Sequence, residues 1–495
     1  MYDRVATAVY NLSPVWVQNI LCTLAGRRYL ARRYGGEFSR WAAFYARARL
    51  WSESRLYDYQ REQLAQLIRH CFETVPYYTK VWKQAGLCPD DFRDVPDLAK
   101  FPCTTKEDLF AASDSMISTS VAGHKLLKFM TGGSTGMPLP LYHTPAEIQQ
   151  HFAAFWDRMR PGVKLGDRYA TFQGKEVVPS QQKRPPYWRE NRAANQRLYS
   201  MGHLSPEKLH TYAGSLLNEP FVYYQGYASF LLVVAEFMAE NGLTPATPPE
   251  AVFTTSEQLT AETRKLFEET WRTKVWDEYC QGEHCALIQE CEHGNRHAQM
   301  DYGVVEYEPI GFEGDQLLAE LICTGLIPRA VPRIRYRVGD RVLIKRGFEC
   351  PCGRPGPVIT AIRGRTSECI ITPDGRKYPH ISLIVDLLRN VRRTQVVQER
   401  PDEIIVRVVP FPQFTATDEE HVARSFAERI GGGIGVTVQC VTDLERLPNG
   451  KVLSIISRIP GHLDPNRQSR QVNESPKISV QSASDGSSAD GHTAR

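Results

Sequence analysis

The stretch Met130-Thr131-Gly132-Gly133-Ser134-Thr135-Gly136-Met137-Pro138 crowds three glycines, two threonines and a serine into nine residues. Phe129 and Met130 lead in and Leu139, Leu141 and Tyr142 lead out, which reads as two short strands joined by a polar turn. Glycine permits positive φ and close approach of backbone to a ligand. Successive backbone N–H groups in such a turn form a concavity for anions, and flanking hydroxyls add donors. The chemistry this suggests is a cradle for a nucleotide triphosphate. GxxxxGK[ST] is absent, so no lysine sits in the loop. A glycine-rich hairpin without a ligand is the competing reading, and these residues alone do not separate the two.

The 495 residues can bury a large core and divide into two or three domains. With 42% hydrophobic and 23% charged residues the composition is that of an ordinary soluble protein. A net charge of +4, with basic residues spread along the chain, argues against a nucleic-acid partner. Apolar stretches such as 15–25 and 230–239 contain polar residues and fall short of about 20, so no membrane span is expected. The N-terminus lacks the compact apolar region and cleavage site of a signal peptide. Twelve cysteines scattered through a large chain favour reduced thiols and a cytoplasmic location, with metal binding where they cluster.

Residues 1–110 read as helical. Leu64, Leu67, Ile68, Cys71 and Phe72 recur at i, i+3, i+4, i+7 and i+8 as one buried stripe, and Pro76 ends that helix. A threonine of Thr104-Thr105 is placed to cap a short helix. From about 120 to 345 strand and helix signals alternate, as in an α/β domain. Helices are expected at 145–155, with Thr144 as cap and Pro145 in the first turn, and at 229–241 and 261–271. Strands are expected at 221–224, 251–253, 274–276 and 317–323. Residues 173–200, polar and containing Pro179, Pro185 and Pro186, read as a long surface loop. Beyond Gly364 come a hairpin turning at Asp374-Gly375, a helix near 381–390, a strand at 404–409, a helix through Val422, Phe426 and Ile430, and a strand at 436–441. The division is a helical region at 1–110, an α/β core at 111–365, a small α+β unit at 366–460 and a disordered tail at 461–495.

Cys291-x5-His297 and Cys350-Pro351-Cys352 form a separate constellation. Two such pairs supply the four thiolate and imidazole ligands of a closed tetrahedral Zn²⁺ site. His284, Cys285 and His293 compete as ligands, and free buried thiols are the alternative.

Five motifs in fixed order resemble the acyl-adenylate-forming (AMP-binding) superfamily. More narrowly, the chain looks like its phenylacetate–CoA ligase branch, close to relatives associated with polysaccharide biosynthesis. The motifs are the 131–138 loop, Ser256-Glu257, Tyr279-Cys280-Gln281-Gly282-Glu283, Arg335-Tyr336-Arg337-Val338-Gly339-Asp340, and Leu447-Pro448-Asn449-Gly450-Lys451. The segment from Val75-Pro76-Tyr77-Tyr78 to Thr104-Thr105-Lys106 is also typical of that branch. The resemblance spans roughly residues 55–460.

It implies a large N-terminal adenylation domain with a small mobile C-terminal lid. It also implies ATP-dependent activation of a small carboxylic acid as an acyl-adenylate, then acyl transfer to coenzyme A. Thr131, Gly132, Gly133, Ser134, Thr135, Gly136, Ser256, Glu257, Tyr279 and Asp340 would bind ATP, with Asp340 on the ribose diol, and Glu283 would bind Mg²⁺. Lys451 would reach the α-phosphate and the carboxylate together, and Arg365 would open the lid hinge. Residues 221–229 fall where the family places the wall of the acyl pocket. The chain departs from the pattern at Cys280 for glycine, at Gly282 and Val338 for hydroxyl residues, and at Ser367 for the charged hinge residue. An amine acceptor, which some relatives use and no motif here distinguishes from coenzyme A, is one alternative, and the two substitutions in the Glu283 motif leave a scaffold without catalysis as another.

Overall fold

The computed structural model describes residues 4–112, 114–121, 126–130, 140–159, 162–173, 177–179, 181–204, 206–257, 259–363, 370–373, 377–378, 381–385, 388–431, 433–445 and 455–459. A large unit is built on a 12-stranded sheet. Its five neighbouring strands Gln196–Tyr199, Tyr169–Phe172, Tyr223–Gly226, Ala251–Thr255 and Val275–Cys280 run parallel. Strands covered on both faces read as apolar runs, and Ala251-Val252-Phe253 is one. Val252 packs into one core with Phe230, Val234 and Trp271 of the helices Ala228–Glu240 and Ala261–Trp271. Ala251 and Phe253 point the other way, to Tyr45, Ala153 and Phe155 of Phe38–Ala48 and Pro145–Met159. The sheet continues through antiparallel strands, among them Gly303–Glu313, Gln316–Gly325 and Tyr336–Lys345.

The helical region at the N-terminus belongs to this unit. Ser52 caps Glu53–Thr74 by accepting from the Arg55 amide. Of the expected stripe, Leu64, Leu67, Ile68 and Cys71 are wholly buried, against Leu321, Cys323 and Tyr336 of the antiparallel strands, and Phe72 is partly buried beside them. Pro76 ends that helix and also begins the next, Pro76–Gln84, where its missing N–H costs nothing.

One expectation fails. Residues 173–200 are not all loop, because Trp188–Asn191 and Gln196–Tyr199 pair as the edge of the sheet. The inward positions of Trp188–Asn191 are Arg189 and Asn191, buried beneath the helix Val15–Tyr34. Arg189 is held by Gln18 of that helix and Asn191 by Gln196 of the neighbouring strand, so the buried side of this strand shows no apolar alternation to read.

The C-terminal unit has a mixed four-stranded sheet in the order Gly435–Cys440, Glu403–Pro410, Val391–Arg400, Ile455–Ser457. The helix Ala416–Ile430, capped by Thr415 and Asp418, crosses between two parallel strands and buries Val422, Phe426 and Ile430 on Ile404, Val406 and Val408. The Val391–Arg400 strand was not expected, and the helix near 381–390 is the short Ser382–Val385 in the described residues. Strands Leu127–Met130 and Pro140–His143 pair antiparallel, as the glycine-rich stretch predicts, with Phe129 opposite Leu141. The turn between them, residues 131–139, lies outside the described residues, as do Arg365, Gly375, Lys451 and the tail 461–495. Among the described residues no helix is long and apolar enough to cross a membrane.

Candidate active site

Val275–Cys280 lies parallel to Ala251–Thr255 with Thr255 opposite Glu278, so Ser256-Glu257 and Tyr279 leave the sheet at the same carboxyl edge. That edge is where open α/β sheets bind ligands. Ser256 takes φ +67°, turning the chain out of its strand. Asp340 arrives from the antiparallel side. Gly339, at φ +79°, sits where pairing with the neighbouring strand slips register between Glu320 and Ile322, and the bulge re-aims the residue after it. The Tyr279 hydroxyl donates to Asp340 Oδ2 at 2.7 Å and accepts from Gln281 Nε2 at 2.6 Å. Burial, then the Asp340 carboxylate, pushes the Tyr279 phenol well above its ordinary range, so it stays a donor.

Glu283 follows on the same loop. Its carboxylate is mostly buried and Oε1 accepts from the Tyr336 hydroxyl at 3.4 Å. A Cβ on Gly282 would stand 2.7 Å from Leu141 Cδ1, and His143 Nε2 donates to the Gly282 carbonyl at 2.9 Å. Leu141 and His143 lie on the strand leaving the glycine-rich turn. The loop bearing Glu283 is therefore pressed onto that strand, and a side chain at 282 would have to displace the Leu141 tip.

Below this loop three imidazoles stack. His284 lies between His143 (4.2 Å, 19°) and His151 (3.9 Å, 9°), and His151 Nδ1 meets the Tyr302 hydroxyl at 2.8 Å. Burial lowers all three, His151 to about 3, so the stack is neutral. Nothing in the sequence marks these histidines as a group, since they come from a strand, a helix and a loop. Arg335 plays a structural part: its guanidinium forks onto Glu306 at 2.8–3.1 Å and donates to the Phe101 carbonyl. Thr104 pairs with the backbone on both sides of Tyr336, which ties the 102–106 segment to the Asp340 strand.

Ser256 is exposed and Glu257 half-buried at the strand end. Tyr378 of the C-terminal unit comes within electrostatic reach of Glu257. Burial lifts its phenol to about 12, with Arg429 opposing and Glu257 adding.

Cys291, His297, Cys350 and Cys352 converge, with one ligand atom from each lying within 4.8 Å of the others. Cys291 Sγ is 3.7 Å from Cys350 Sγ, and Cys352 Sγ is 3.4 Å from His297 Nε2. Zinc–ligand bonds of about 2.3 Å to sulfur and 2.0 Å to nitrogen give tetrahedral edges of roughly 3.5–3.8 Å, which these separations match. Asn295 Nδ2 donates to Cys350 Sγ at 3.2 Å and the Arg354 amide to Cys352 Sγ at 3.4 Å, the kind of outer bonds that orient thiolate ligands. Burial, aided by Arg354, lowers His297 to about 4, leaving the neutral imidazole a metal needs. Of the competing ligands, His284 stands in the stack and Cys285 in the main core.

Residues 370–458 match the CapK C-terminal domain family. Protein CapK of Staphylococcus aureus is 25% identical over 81% of this chain and 88% of its own length. A phenylacetate-coenzyme A ligase of Thermus thermophilus is 24% identical over 80% and 95%. In fold, the chain is similar to a 2-hydroxyisobutyryl-CoA ligase solved with 2-HIB-AMP and CoA, at a TM-score of 0.53 and 18% identity over 86% of this chain and 93% of that one.

Proposed function

We propose that this chain, a member of the adenylate-forming superfamily in its phenylacetate–CoA ligase-like branch, is an AMP-forming acid ligase. An oxygen of a small carboxylic acid attacks the α-phosphate of ATP. The new O–P bond forms as the bond to the β-phosphate breaks, giving an acyl-adenylate and pyrophosphate. A thiolate of coenzyme A then attacks the acyl carbon and AMP leaves. The observation that carries this reading is the Tyr279–Asp340 hydrogen bond, which joins two of the five motifs at the carboxyl edge of the sheet.

In this proposal the protein positions reactants and neutralises charge developing on the phosphate oxygens. Thr131, Gly132, Gly133, Ser134, Thr135 and Gly136 hold the β- and γ-phosphates through amides and hydroxyls. Tyr279, Ser256 and Glu257 border the nucleotide, and Asp340, oriented by Tyr279, takes the ribose diol. Mg²⁺ bound at Glu283 would supply positive charge beside the phosphates. The buried carboxylate, fixed by Tyr336, fits a hard cation. Lys451 comes from the C-terminal unit, acting as lid, to meet the α-phosphate, with Arg365 at the hinge; rotation then brings Gly375 and its neighbours in for transfer. Cys291, His297, Cys350 and Cys352 would hold a structural Zn²⁺, which would tie the 291–297 segment to the 350–352 turn.

The second reading has as acceptor an amine of polysaccharide or secondary metabolism, since no motif in the chain distinguishes an amine from coenzyme A. An ATP–pyrophosphate exchange screen over carboxylic acids tests the adenylation step. Activity with one acid, then product formation with coenzyme A or with an amine, identifies the acceptor. Folded protein silent across the screen would instead favour a scaffold.

A further inference from the structure

The helix Val15–Tyr34 is fastened to the sheet edge by its polar side. The Arg189 guanidinium donates to Gln18 Oε1, the Glu190 amide to Asn19 Oδ1 at 2.9 Å, and the Arg192 amide to Thr23 Oγ1 at 3.1 Å. Gly26 closes the contact: a Cβ there would overlap the Asn191 side chain, 2.0 Å from its Oδ1. Gln18, Asn19, Thr23 and Gly26 thus face the protein, and the opposite face, at i, i+4 and i+8, carries Trp16, Ile20 and Leu24. These are 65%, 50% and 49% exposed, and Leu12 of the preceding helix Arg4–Leu12 is 88% exposed. Over its first three turns the helix therefore sets Gln18, Asn19 and Thr23 toward the protein and Trp16, Ile20 and Leu24 toward solvent.

The same exposed face continues into charge. Arg27, Arg28 and Arg32 are exposed one to two turns beyond Leu24. Residues 4–36 contain five arginines and no acidic residue. A second copy pairing through this face would set arginines against arginines with no carboxylate of the segment to answer them. An anionic lipid surface answers both halves, taking tryptophan and aliphatic side chains into its interface and arginines onto its headgroups. We propose that the outward face of Val15–Tyr34 docks the protein in-plane on an anionic membrane surface, with Trp16, Ile20 and Leu24 inserted and Arg27, Arg28 and Arg32 on the headgroups. This adds a location to the enzyme and does not depend on which acid it activates.

Flotation of the purified full-length protein with phosphatidylcholine vesicles, with or without phosphatidylglycerol, tests it. The protein is expected to float with the phosphatidylglycerol vesicles, less so as salt rises, and to stay behind with phosphatidylcholine alone. Ile20→Glu with Leu24→Glu should abolish flotation, and Arg27→Gln with Arg28→Gln should weaken it by on the order of fivefold per arginine. Both pairs lie on the exposed face, so unchanged thermal melts are expected. If the double glutamate variant melts early, the arginine pair still decides. Failure of the wild type to float, or flotation unaffected by either pair, overturns the proposal. So does a dimer in sedimentation that Ile20→Glu with Leu24→Glu dissolves, since a second copy then covers this face.

Discussion

Tyr279 Oη lies 2.7 Å from Asp340 Oδ2, although 61 positions separate them in sequence. The contact spans the junction of two parts of the sheet, a parallel strand on one side and a bulged antiparallel strand on the other. A buried phenol donating to a carboxylate fixes where that carboxylate points.

If Asp340 takes the ribose, Asp340→Ala should raise the KM for ATP by about a hundredfold while the protein melts near the wild-type temperature. Tyr279→Phe removes one bond to a charged acceptor, about 1.5–3 kcal/mol, and should raise the same KM by roughly tenfold or more. Steady-state kinetics with varied ATP check this, and an unchanged KM in both variants would remove the ribose assignment.

Glycine at 282, where the family pattern has a hydroxyl residue, lies against the tip of Leu141. Gly282→Ser should cost about 1–3 kcal/mol, as overpacking does, and adding Leu141→Val should recover part of it. Urea unfolding of the single and double variants measures the coupling. Additive losses would show that the close approach is not the cause.

Protein purified without added zinc should carry one zinc per chain by metal analysis. Cys350→Ser with Cys352→Ser should lose it and lower the melting temperature, since structural zinc contributes directly to folding. A wild-type protein without stoichiometric zinc would refute the site.

The neutral imidazole stack makes a pH prediction. His151 falls from 6.5 to about 3 on burial, so the unfolded chain takes up its proton first as pH drops. Its contribution is complete above pH 6.5 and is lost as pH falls toward 3. Between pH 7.5 and 5.5 that single group should cost about 1 kcal/mol, and His151→Phe should flatten this part of the stability curve. Urea midpoints at the two pH values decide, and an equally steep fall in the variant would show that His151 titrates freely in the fold.

How legible all this was in the sequence depended on what each residue buries against. The Leu64–Cys71 stripe buries apolar side chains at helical spacing and the Ala251-Val252-Phe253 strand buries an unbroken apolar run, and both are legible in the sequence. The Cys291, His297, Cys350 and Cys352 quartet was legible from ligand chemistry, and folding brings the four together. Trp188–Asn191 escaped because its inward residues are polar: Arg189 is held by Gln18 of a helix 171 residues earlier and by Gln182, and Asn191 donates to Gln196 of the neighbouring strand, partners that no local pattern reveals. The histidine stack escaped for a similar reason, being assembled from three elements with no shared spacing. Gly282 reads as a departure from the family pattern, and its approach to the Leu141 tip is visible only in the fold.

Carboxylate-dependent ATP–pyrophosphate exchange by the purified protein, wild type beside Lys451→Ala, tests the central claim most directly. An acid that supports exchange in the wild type should lose it by about 10²–10³-fold in the folded variant, as removal of a transition-state charge contact does. Exchange in Lys451→Ala equal to that of the wild type would contradict the account.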